Sequence, residues 1–201
     1  MNFLLFSDIH CDDVAARQLV ERSHQFDAAI GAGDFATGRR GLPEIIDVLK
    51  WMECKTVLVP GNSESFEELS DACSQWDGAI VLHGTSCEVE GVTFFGLGGA
   101  VPETPFGSWS YDFSEEQAVE LLEPCPDRCV LVSHSPPKGV LDKSSTDVSL
   151  GSSAVRETVL RTGPHLVVCG HIHACGGRQE MLQQSHVINA GPQGMSFNLE
   201  T

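Results

Sequence analysis

The 201-residue chain has few basic side chains and no long apolar run. Lys and Arg total 12 against 28 Asp and Glu, so the formal net charge is −16. Without a basic stripe, the sequence disfavours a nucleic-acid polymer or an anionic membrane as a partner. No segment approaches the roughly 18 apolar residues that a membrane helix requires. No basic residues precede the short apolar start, which argues against a secretory signal and for a cytoplasmic protein.

The eight cysteines lack the spacing of a disulfide framework or a zinc site. None forms a Cys-x-x-Cys pair, and several, such as Cys129 and Cys169, stand in apolar runs. A free thiol in such a run packs as a small hydrophobic group. We therefore interpret the cysteines as reduced structural residues, in keeping with a cytoplasmic location.

The sequence also lacks internal repeats, low-complexity tracts and linkers, so we expect residues 1–201 to form one domain. Short continuous apolar runs recur along it, as is typical of strands buried on both faces. The predicted strands are Phe3–Phe6, Ala28–Ile30, Val57–Val59, Ile80–Leu82, Val92–Phe95, Val130–Val132, Leu166–Val168 and Val187–Ile188. Their alternation with helices predicts an α/β protein with a largely parallel sheet, and antiparallel strands from Gln179 onward.

Helical patterns separate several of these strands. Apolar residues recur at helical spacing across Leu42–Met52, with Pro43 suited to the first turn. Another helix is indicated around Val155–Val159, with Ser152 and Ser153 as candidate N-caps. Further helices are predicted for Asp12–Arg22, Ser65–Gln75 and Ser114–Leu122.

The segment Gly99–Asp112 is predicted to be a long loop because it contains prolines, glycines and no regular apolar spacing. It also carries the aromatic residues Phe106, Trp109 and Tyr111. Two interpretations remain open for these aromatics. They pack beneath a surface loop, or they form a rim of the substrate cleft, since long ordered loops often carry function.

Polar residues with metal-binding side chains follow five of the predicted strands. These residues are Asp8, His10, Asp34, Asn62, His134, His171 and His173. In open α/β sheets the ligand site lies beyond the carboxyl ends of the strands, so we expect these side chains to lie close together. A single Asp-x-His or Gly-Asn motif arises often by chance, and an isolated histidine is usually structural. The conjunction of five motifs, each at a strand end, indicates a site for two divalent cations.

The ordered series Asp-x-His, Gly-Asp, Gly-Asn, a lone His and Gly-His-x-His resembles the calcineurin-like metallophosphoesterase family. The run HSPPKGVLD at His134–Asp142 and the motif NAGP at Asn189–Pro192 resemble its small, uncapped bacterial members. The resemblance implies two packed mixed β-sheets flanked by helices, a four-layer αββα sandwich. It also implies a dinuclear site that takes manganese, iron, zinc or nickel.

The resemblance assigns a role to each candidate ligand. It implies that Asp8, His10 and His173 hold the first metal ion. Asn62, His134 and His171 would hold the second, and Asp34 would bridge the two. We take Asp34, Asn62 and His134 as the catalytic candidates. The candidate substrate contacts are Asn62, Ser63 and Arg39, although a loop arginine such as Arg39 is more often solvated.

The chemistry of these side chains agrees with the resemblance. Mixed imidazole and carboxylate ligands suit Mn²⁺, Fe²⁺ and Zn²⁺. Two metal ions about 3.5–4 Å apart can deprotonate a bridging water and clamp a phosphoryl oxygen, which favours in-line attack by the hydroxide. Bound cations can also reverse the local field of an acidic protein. We therefore predict a metal-dependent phosphoesterase, more specifically a phosphodiesterase, that acts on a small phosphorylated substrate.

One position departs from the family pattern. The family commonly has a histidine after Gly-Asn, thought to protonate the leaving oxygen, whereas this sequence reads Gly61-Asn62-Ser63-Glu64. Ser63 cannot supply an imidazolium, so the leaving group lacks that acid unless Glu64 or water replaces it. This departure narrows the choice of substrate without excluding catalysis. A separate alternative is a non-catalytic metal-binding or protein-interaction scaffold on the same fold, although the presence of all seven candidate ligands favours an enzyme.

Overall fold

All the predicted strands form, and the computed structural model, which describes residues 1–200, adds three more. In the described residues the strands are β1 (Asn2–Phe6), β2 (Ala28–Gly31), β3 (Lys55–Leu58), β4 (Ala79–Val81), β5 (Thr85–Val89), β6 (Val92–Leu97), β7 (Val130–Ser133), β8 (Leu166–Cys169), β9 (Arg178–Leu182), β10 (Ser185–Asn189) and β11 (Met195–Asn198). Sequence patterning missed β5 because it lies at a sheet edge, is mostly exposed and forms no apolar run. From Gln179 onward, β9 is antiparallel to β10 and β11 is antiparallel to β1, as expected, whereas β10 runs parallel to β8.

The strands form two mixed sheets. The first has the order β11-β1-β2-β3-β4, with only β11 antiparallel to its neighbour. The second has the order β5-β6-β7-β8-β10-β9, with antiparallel edge strands β5 and β9. This arrangement confirms the sandwich implied by the family resemblance and corrects the expectation of one largely parallel sheet. Apolar runs reveal that a strand is buried, but not to which sheet it belongs.

The five α-helices within residues 1–200 begin near their predicted positions. They are α1 (Asp13–Ser23), α2 (Leu42–Leu49), α3 (Phe66–Ala72), α4 (Glu115–Leu122) and α5 (Ser153–Thr162). All but α2 have a side-chain N-cap that accepts a first-turn amide, provided by Asp12, Ser65, Ser114 and Ser152. None of the helices in residues 1–200 has the length and apolarity needed to cross a membrane.

Two helices are shorter than the sequence predicted. α2 ends at Leu49, and Met52 lies beyond it but still packs in the same core, which explains why its spacing matched. The predicted helix Ser65–Gln75 consists of α3 followed by a separate 3₁₀ turn, Cys73–Gln75. Both differences concern the last turn, where hydrophobic spacing is least informative.

The two sheets pack face to face, with helices on their outer faces. Along β1, Phe3 and Leu5 point between the sheets, where the Phe3 ring contacts that of Phe94 edge to face at a centroid distance of 5.7 Å. Leu4 and Phe6 point outward and pack with residues of α1 and α2. Helices α4 and α5 cover the outer face of the second sheet. Burial on both faces gives the strands their continuous apolar runs.

Candidate metal centre

Four of the predicted ligands have a backbone conformation that is unusual for residues with a side chain. Asp8, His10, Asp34 and His171 have φ values of 55°, 46°, 56° and 65°. Such left-handed residues cost on the order of 1–2 kcal/mol each and persist where other contacts fix them. Here the amide of Asp8 donates to the carbonyl of Gly33 at 2.9 Å, and the amide of His10 to that of Asp34 at 3.0 Å. The loops after β1 and β2 are thereby joined.

Asp8, His10, Asp34 and His173 each offer one ligand atom, and these atoms lie within 4.8 Å of one another. His10 Nε2 is 3.0 Å from His173 Nε2 and 3.5 Å from Asp34 Oδ2. His173 Nε2 is 3.6 Å from Asp8 Oδ1. The structure thus brings the three residues predicted for the first metal together with the predicted bridging residue, although they follow strands of both sheets.

The two carboxylate oxygens of Asp34 face different groups of side chains. Oδ2 faces His10, whereas Oδ1 lies 3.6 Å from His134 Nε2. His134 Nε2 is also 3.3 Å from Asn62 Oδ1, and its ring centroid is 5.0 Å from that of His171. Asp34 therefore stands between the two predicted ligand sets, the placement that a bridging carboxylate requires.

Backbone carbonyls orient two of the histidine rings. His134, whose side chain is 0% exposed, has its Nδ1 2.7 Å from the carbonyl oxygen of Ala32. His10 Nδ1 lies 3.1 Å from the carbonyl oxygen of Ala36. Because only a protonated nitrogen donates to a carbonyl, these contacts place a proton on Nδ1 of each ring. The Nε2 lone pair is then directed at the cluster, as in histidines that bind a metal.

The environment also sets the charges of the cluster. Burial alone would raise the pKa of Asp8, but the hydrogen bond with His173, the charge of His134 and the Ser7 hydroxyl lower it to about 2. The hydrogen bond to Asp8 raises the pKa of His173 despite the opposing effect of burial. Burial and the nearby charge of His134 lower the pKa of His171 to about 4. At neutral pH, Asp8 is therefore ionised and His171 neutral, the forms that bind cations.

Glycines allow the loops to approach these carboxylates closely. A Cβ at Gly170 would lie 2.6 Å from Asp8 Oδ2. A Cβ at Gly61 would overlap the backbone and carboxylate of Asp34. Any larger residue at these two positions would displace an acidic side chain of the cluster.

The donor set fits divalent cations. Within residues 1–200, the ion pairs of Asp8 and Asp34 involve histidines and no Lys or Arg side chain. Two nearly buried carboxylates in one cluster repel each other unless a positive charge lies between them. Carboxylate oxygens and oriented imidazole nitrogens are ligands for such a charge.

The comparisons with known proteins agree with this geometry. The model of the calcineurin-like phosphoesterase superfamily domain matches residues 1–201, the whole of the sequence. The chain belongs to the calcineurin-like phosphoesterase superfamily. None of the curated protein sequences compared with the chain matches it.

Solved structures share the fold of this calcineurin-like phosphoesterase. The protein TT1561 of Thermus thermophilus is 18% identical, with a TM-score of 0.73 and coverage of 98% of both chains. A dimetal phosphatase from Danio rerio is 13% identical, with a TM-score of 0.59 and coverage of 94% of this chain and 86% of that one. An archaeal phosphodiesterase is 16% identical, with a TM-score of 0.56 and coverage of 95% and 84%. At these identities the likeness concerns the fold alone.

In this calcineurin-like phosphoesterase, the orientation of Asn62 depends on a residue that sequence reasoning missed. Asn62 Nδ2 donates to Ser110 Oγ at 3.0 Å, which leaves Oδ1 directed at the cluster. Ser110 Oγ in turn donates to Asp112 Oδ1 at 2.6 Å. Ser110 is 48 positions from Asn62 and belongs to no motif, so the sequence contained no signal for this contact.

Two other supporting residues hold the backbone of the site. Ser7 Oγ donates to Asp8 Oδ2 at 2.6 Å and accepts from the amide of Gly191 at 3.0 Å. Asn189 Nδ2 donates to the carbonyls of Gly170 and Ile172, each at 3.1 Å. Asn189 thus fixes the loop that carries His171 and His173. The NAGP motif pointed to Asn189, but not to this role.

The Glu64 carboxyl group accepts from backbone amides and does not line the metal cleft. It is fully buried, its Oε1 accepts from the amide of Gly61 at 2.7 Å, and its Oε2 accepts from that of Ala36 at 3.0 Å. Burial, with a contribution from the Asp34 charge, raises its pKa to about 7. Glu64 links the loops after β2 and β3. Its two carboxyl oxygens are engaged by these amides and are not directed at the metal cleft beside Ser63.

Ser63 and Arg39 occupy different surroundings. Ser63 is 2% exposed, borders the metal cleft, and its amide donates to Asp34 Oδ1 at 2.8 Å. Arg39 Nη2 pairs with Glu68 Oε1 at 3.0 Å. Arg39 lines a neighbouring cavity of about 500 Å³, which Ser63 also borders. Substrate contact by Arg39 therefore requires a group that extends past Ser63, and it stays a prediction.

The metal cleft has a volume of about 630 Å³. Its lining includes His10, Asp34, Asn62, Phe106, Trp109 and Leu150. Phe106 and Trp109 are 52% and 40% exposed, so they do not pack beneath the loop. Of the two interpretations of Gly99–Asp112, the placement of these two aromatics favours a rim of the cleft.

Proposed function

We propose that this chain is a metal-dependent phosphodiesterase that hydrolyses a small phosphorylated substrate in the cytoplasm. The observation that supports this proposal most is the position of Asp34, whose two oxygens face two separate groups of donors. A dinuclear site needs such a residue, because one carboxylate can neutralise part of the charge of both cations. The neighbouring folds of a dimetal phosphatase and a phosphodiesterase are consistent with the proposal.

In this proposal Asp8, His10 and His173 hold one cation, and Asn62, His134 and His171 hold the other, with Asp34 between them. Bound divalent cations supply Lewis-acid activation of water and neutralise charge on the phosphoryl group. The chain contributes preorganisation, because carbonyl contacts fix the rings of His10 and His134 before a substrate arrives. The choice among manganese, iron, zinc and nickel is open to metal analysis.

The preference for diesters or activated esters over ordinary monoesters rests on Ser63 and Glu64. Neither residue places an acidic proton in the cleft, so the leaving oxygen departs without protonation by a side chain at this position. Esters with good leaving groups should therefore be cleaved faster than alkyl monoesters. The acidic surface, with a net charge of −16, favours a small substrate over a nucleic-acid polymer.

The test combines metal analysis with turnover. Protein loaded with Mn²⁺ and freed of excess metal should contain close to two equivalents and should hydrolyse bis-nitrophenyl phosphate faster than a simple alkyl phosphomonoester such as methyl phosphate. Asp34→Asn should reduce both the metal content and the rate of ester hydrolysis. Asp47→Asn, on the exposed surface of α2, should leave both unchanged. Folded protein that binds no metal would refute the proposal. Two bound metals without turnover of either ester would favour the scaffold.

A further inference from the structure

Phe106 and Trp109 form an exposed pair of parallel rings, which we name the aromatic platform. Their centroids are 5.6 Å apart and their planes differ by 14°. Both side chains are substantially exposed, at 52% and 40%. Exposed aromatic surface of this kind costs solvation free energy and commonly marks a binding site. Parallel rings present flat faces, which suit another planar ring.

The platform lies in the metal cleft and is fixed relative to the metal site. The same loop contacts Asn62 twice, through Ser110 Oγ at 3.0 Å and through the Tyr111 amide, which donates to the Asn62 carbonyl at 3.0 Å. Asp112 further closes the loop by accepting from the Thr104 amide at 2.7 Å. A group stacked on the platform would therefore be held at a defined position from the phosphate, with little loss of loop entropy.

The remainder of the cleft indicates how large and how charged this group is. Within the described residues no Lys or Arg lines the cleft, so it offers no cationic contact for further phosphates. Leu150, which is 44% exposed, adds apolar surface, and Ser144 and Ser145 add hydroxyl groups. The lining suits one uncharged, planar substituent.

We propose that the substrate carries an aromatic ring, a nucleobase or an aryl group, which stacks on Phe106 and Trp109 while its phosphate occupies the metal site. This inference rests on the proposed phosphoesterase function. It adds the class of substituent that the enzyme selects, which the ligands of the metal site do not determine.

Binding of matched phosphate esters tests the proposal directly. Dissociation constants would be measured by calorimetry, in excess MnCl₂, for methyl, cyclohexyl and phenyl phosphate and for thymidine 5′-monophosphate. Phenyl phosphate should bind about 2- to 10-fold more tightly than cyclohexyl phosphate, because ring pairs contribute beyond buried area. Tighter binding of the thymidine ester than of phenyl phosphate identifies a nucleobase, and the reverse identifies an aryl group.

Variants locate the effect on the platform. Trp109→Ala should weaken the binding of phenyl phosphate by roughly 5- to 100-fold, within the range for stacked rings, and should leave the affinity for methyl phosphate unchanged. Phe106→Ala should act in the same direction. Trp51→Ala removes a tryptophan that is 71% exposed but lies outside the cleft, and it should have no effect. Equal affinities for phenyl and cyclohexyl phosphate, or unchanged binding by both platform variants, would overturn the inference.

These binding data are independent of turnover. If the phenyl ester binds as expected but bis-nitrophenyl phosphate is not hydrolysed, the proposed function fails and the aromatic subsite stands. If the diester is hydrolysed but no ring preference is measured, the aromatic subsite fails and the phosphodiesterase proposal stands.

Discussion

The floor and the rim of the cleft differ in how their side chains are held. We call Asp8, Asp34, Asn62 and His134 the floor, and the aromatic platform, Phe106 and Trp109, the rim. The side chains of Asp34 and His134 are 5% and 0% exposed, whereas Phe106 and Trp109 are 52% and 40% exposed. Substitutions on the floor should therefore disturb the ligand geometry, and those on the rim should mainly change substrate affinity.

The largest effect is expected for the centre of the floor. Asp34→Asn removes a charge that two cations would share, and we expect activity in saturating Mn²⁺ to fall by more than about 100-fold, beyond the usual effect of an outer-shell change. Asn62→Ala removes a neutral ligand of one cation and should cost less. Equal, mild losses in the two variants would contradict the bridging assignment.

A smaller effect is expected where the loop at the rim supports the floor. Ser110→Ala leaves the Asn62 amide without its hydrogen-bond acceptor, so its orientation is no longer fixed. We expect a loss of about 10–100-fold in metal affinity or activity, as for other supporting residues. Ser108→Ala, in an exposed position of the same loop, is the matched control and should have no effect. Identical behaviour of the two variants would show that the loop does not position Asn62.

Glu64 tests whether the floor is held by the backbone. Glu64→Gln places an amide NH₂ group against a backbone N–H of the loops after β2 or β3, so one buried donor loses its acceptor. At pH 6, where the Glu64 carboxyl, with its pKa of about 7, is mostly protonated and carries no buried charge, we expect the free energy of unfolding to fall by about 1–3 kcal/mol. Urea denaturation would measure it, with the exposed Glu21→Gln as control. Unchanged stability would show that Glu64 does not hold these loops.

The smallest effect is expected for Ser63, between the cleft and its neighbouring cavity. Without an acid, the rate in the wild type should depend steeply on leaving-group pKa. Ser63→His should accelerate poor leaving groups by about tenfold, below the roughly 10²–10⁴-fold of an evolved general acid. Hydrolysis rates of the wild type and the variant, measured for esters whose leaving groups span a range of pKa values, would check this. A shallow dependence in the wild type would reveal an acid already present. If the dependence then became steep in Glu64→Gln, Glu64 would be identified as that acid.

Sequence patterns predicted the floor better than the rim. Asp8, Asp34 and His134 follow buried strands, and short strand-to-loop connections leave little freedom in where their side chains lie. The carboxyl ends of the strands therefore indicated the cluster, even though the strands belong to two sheets. The choice of sheet depends on long-range pairing, which apolar runs do not encode.

The rim depended on contacts that no local pattern records. Ser110 reaches Asn62 only because the loop Gly99–Asp112 folds back across the strand ends. The same loop turns Phe106 and Trp109 outward, whereas aromatic composition alone favoured packing beneath it. Glu64 followed Ser63 in sequence and was for that reason a candidate acid. Its burial beneath the loops after β2 and β3 could not be inferred from adjacency.

The left-handed backbone at the candidate ligands has a consequence for engineering this protein. Glycine adopts such φ values without strain, so at His10, with φ of 46°, a glycine would relieve on the order of 1 kcal/mol. Because the greater unfolded-state entropy of glycine offsets much of this gain, a library selected only for thermal tolerance would tolerate glycine at this position and could lose the imidazole. Directed evolution of a more thermostable variant therefore needs a simultaneous screen for metal binding.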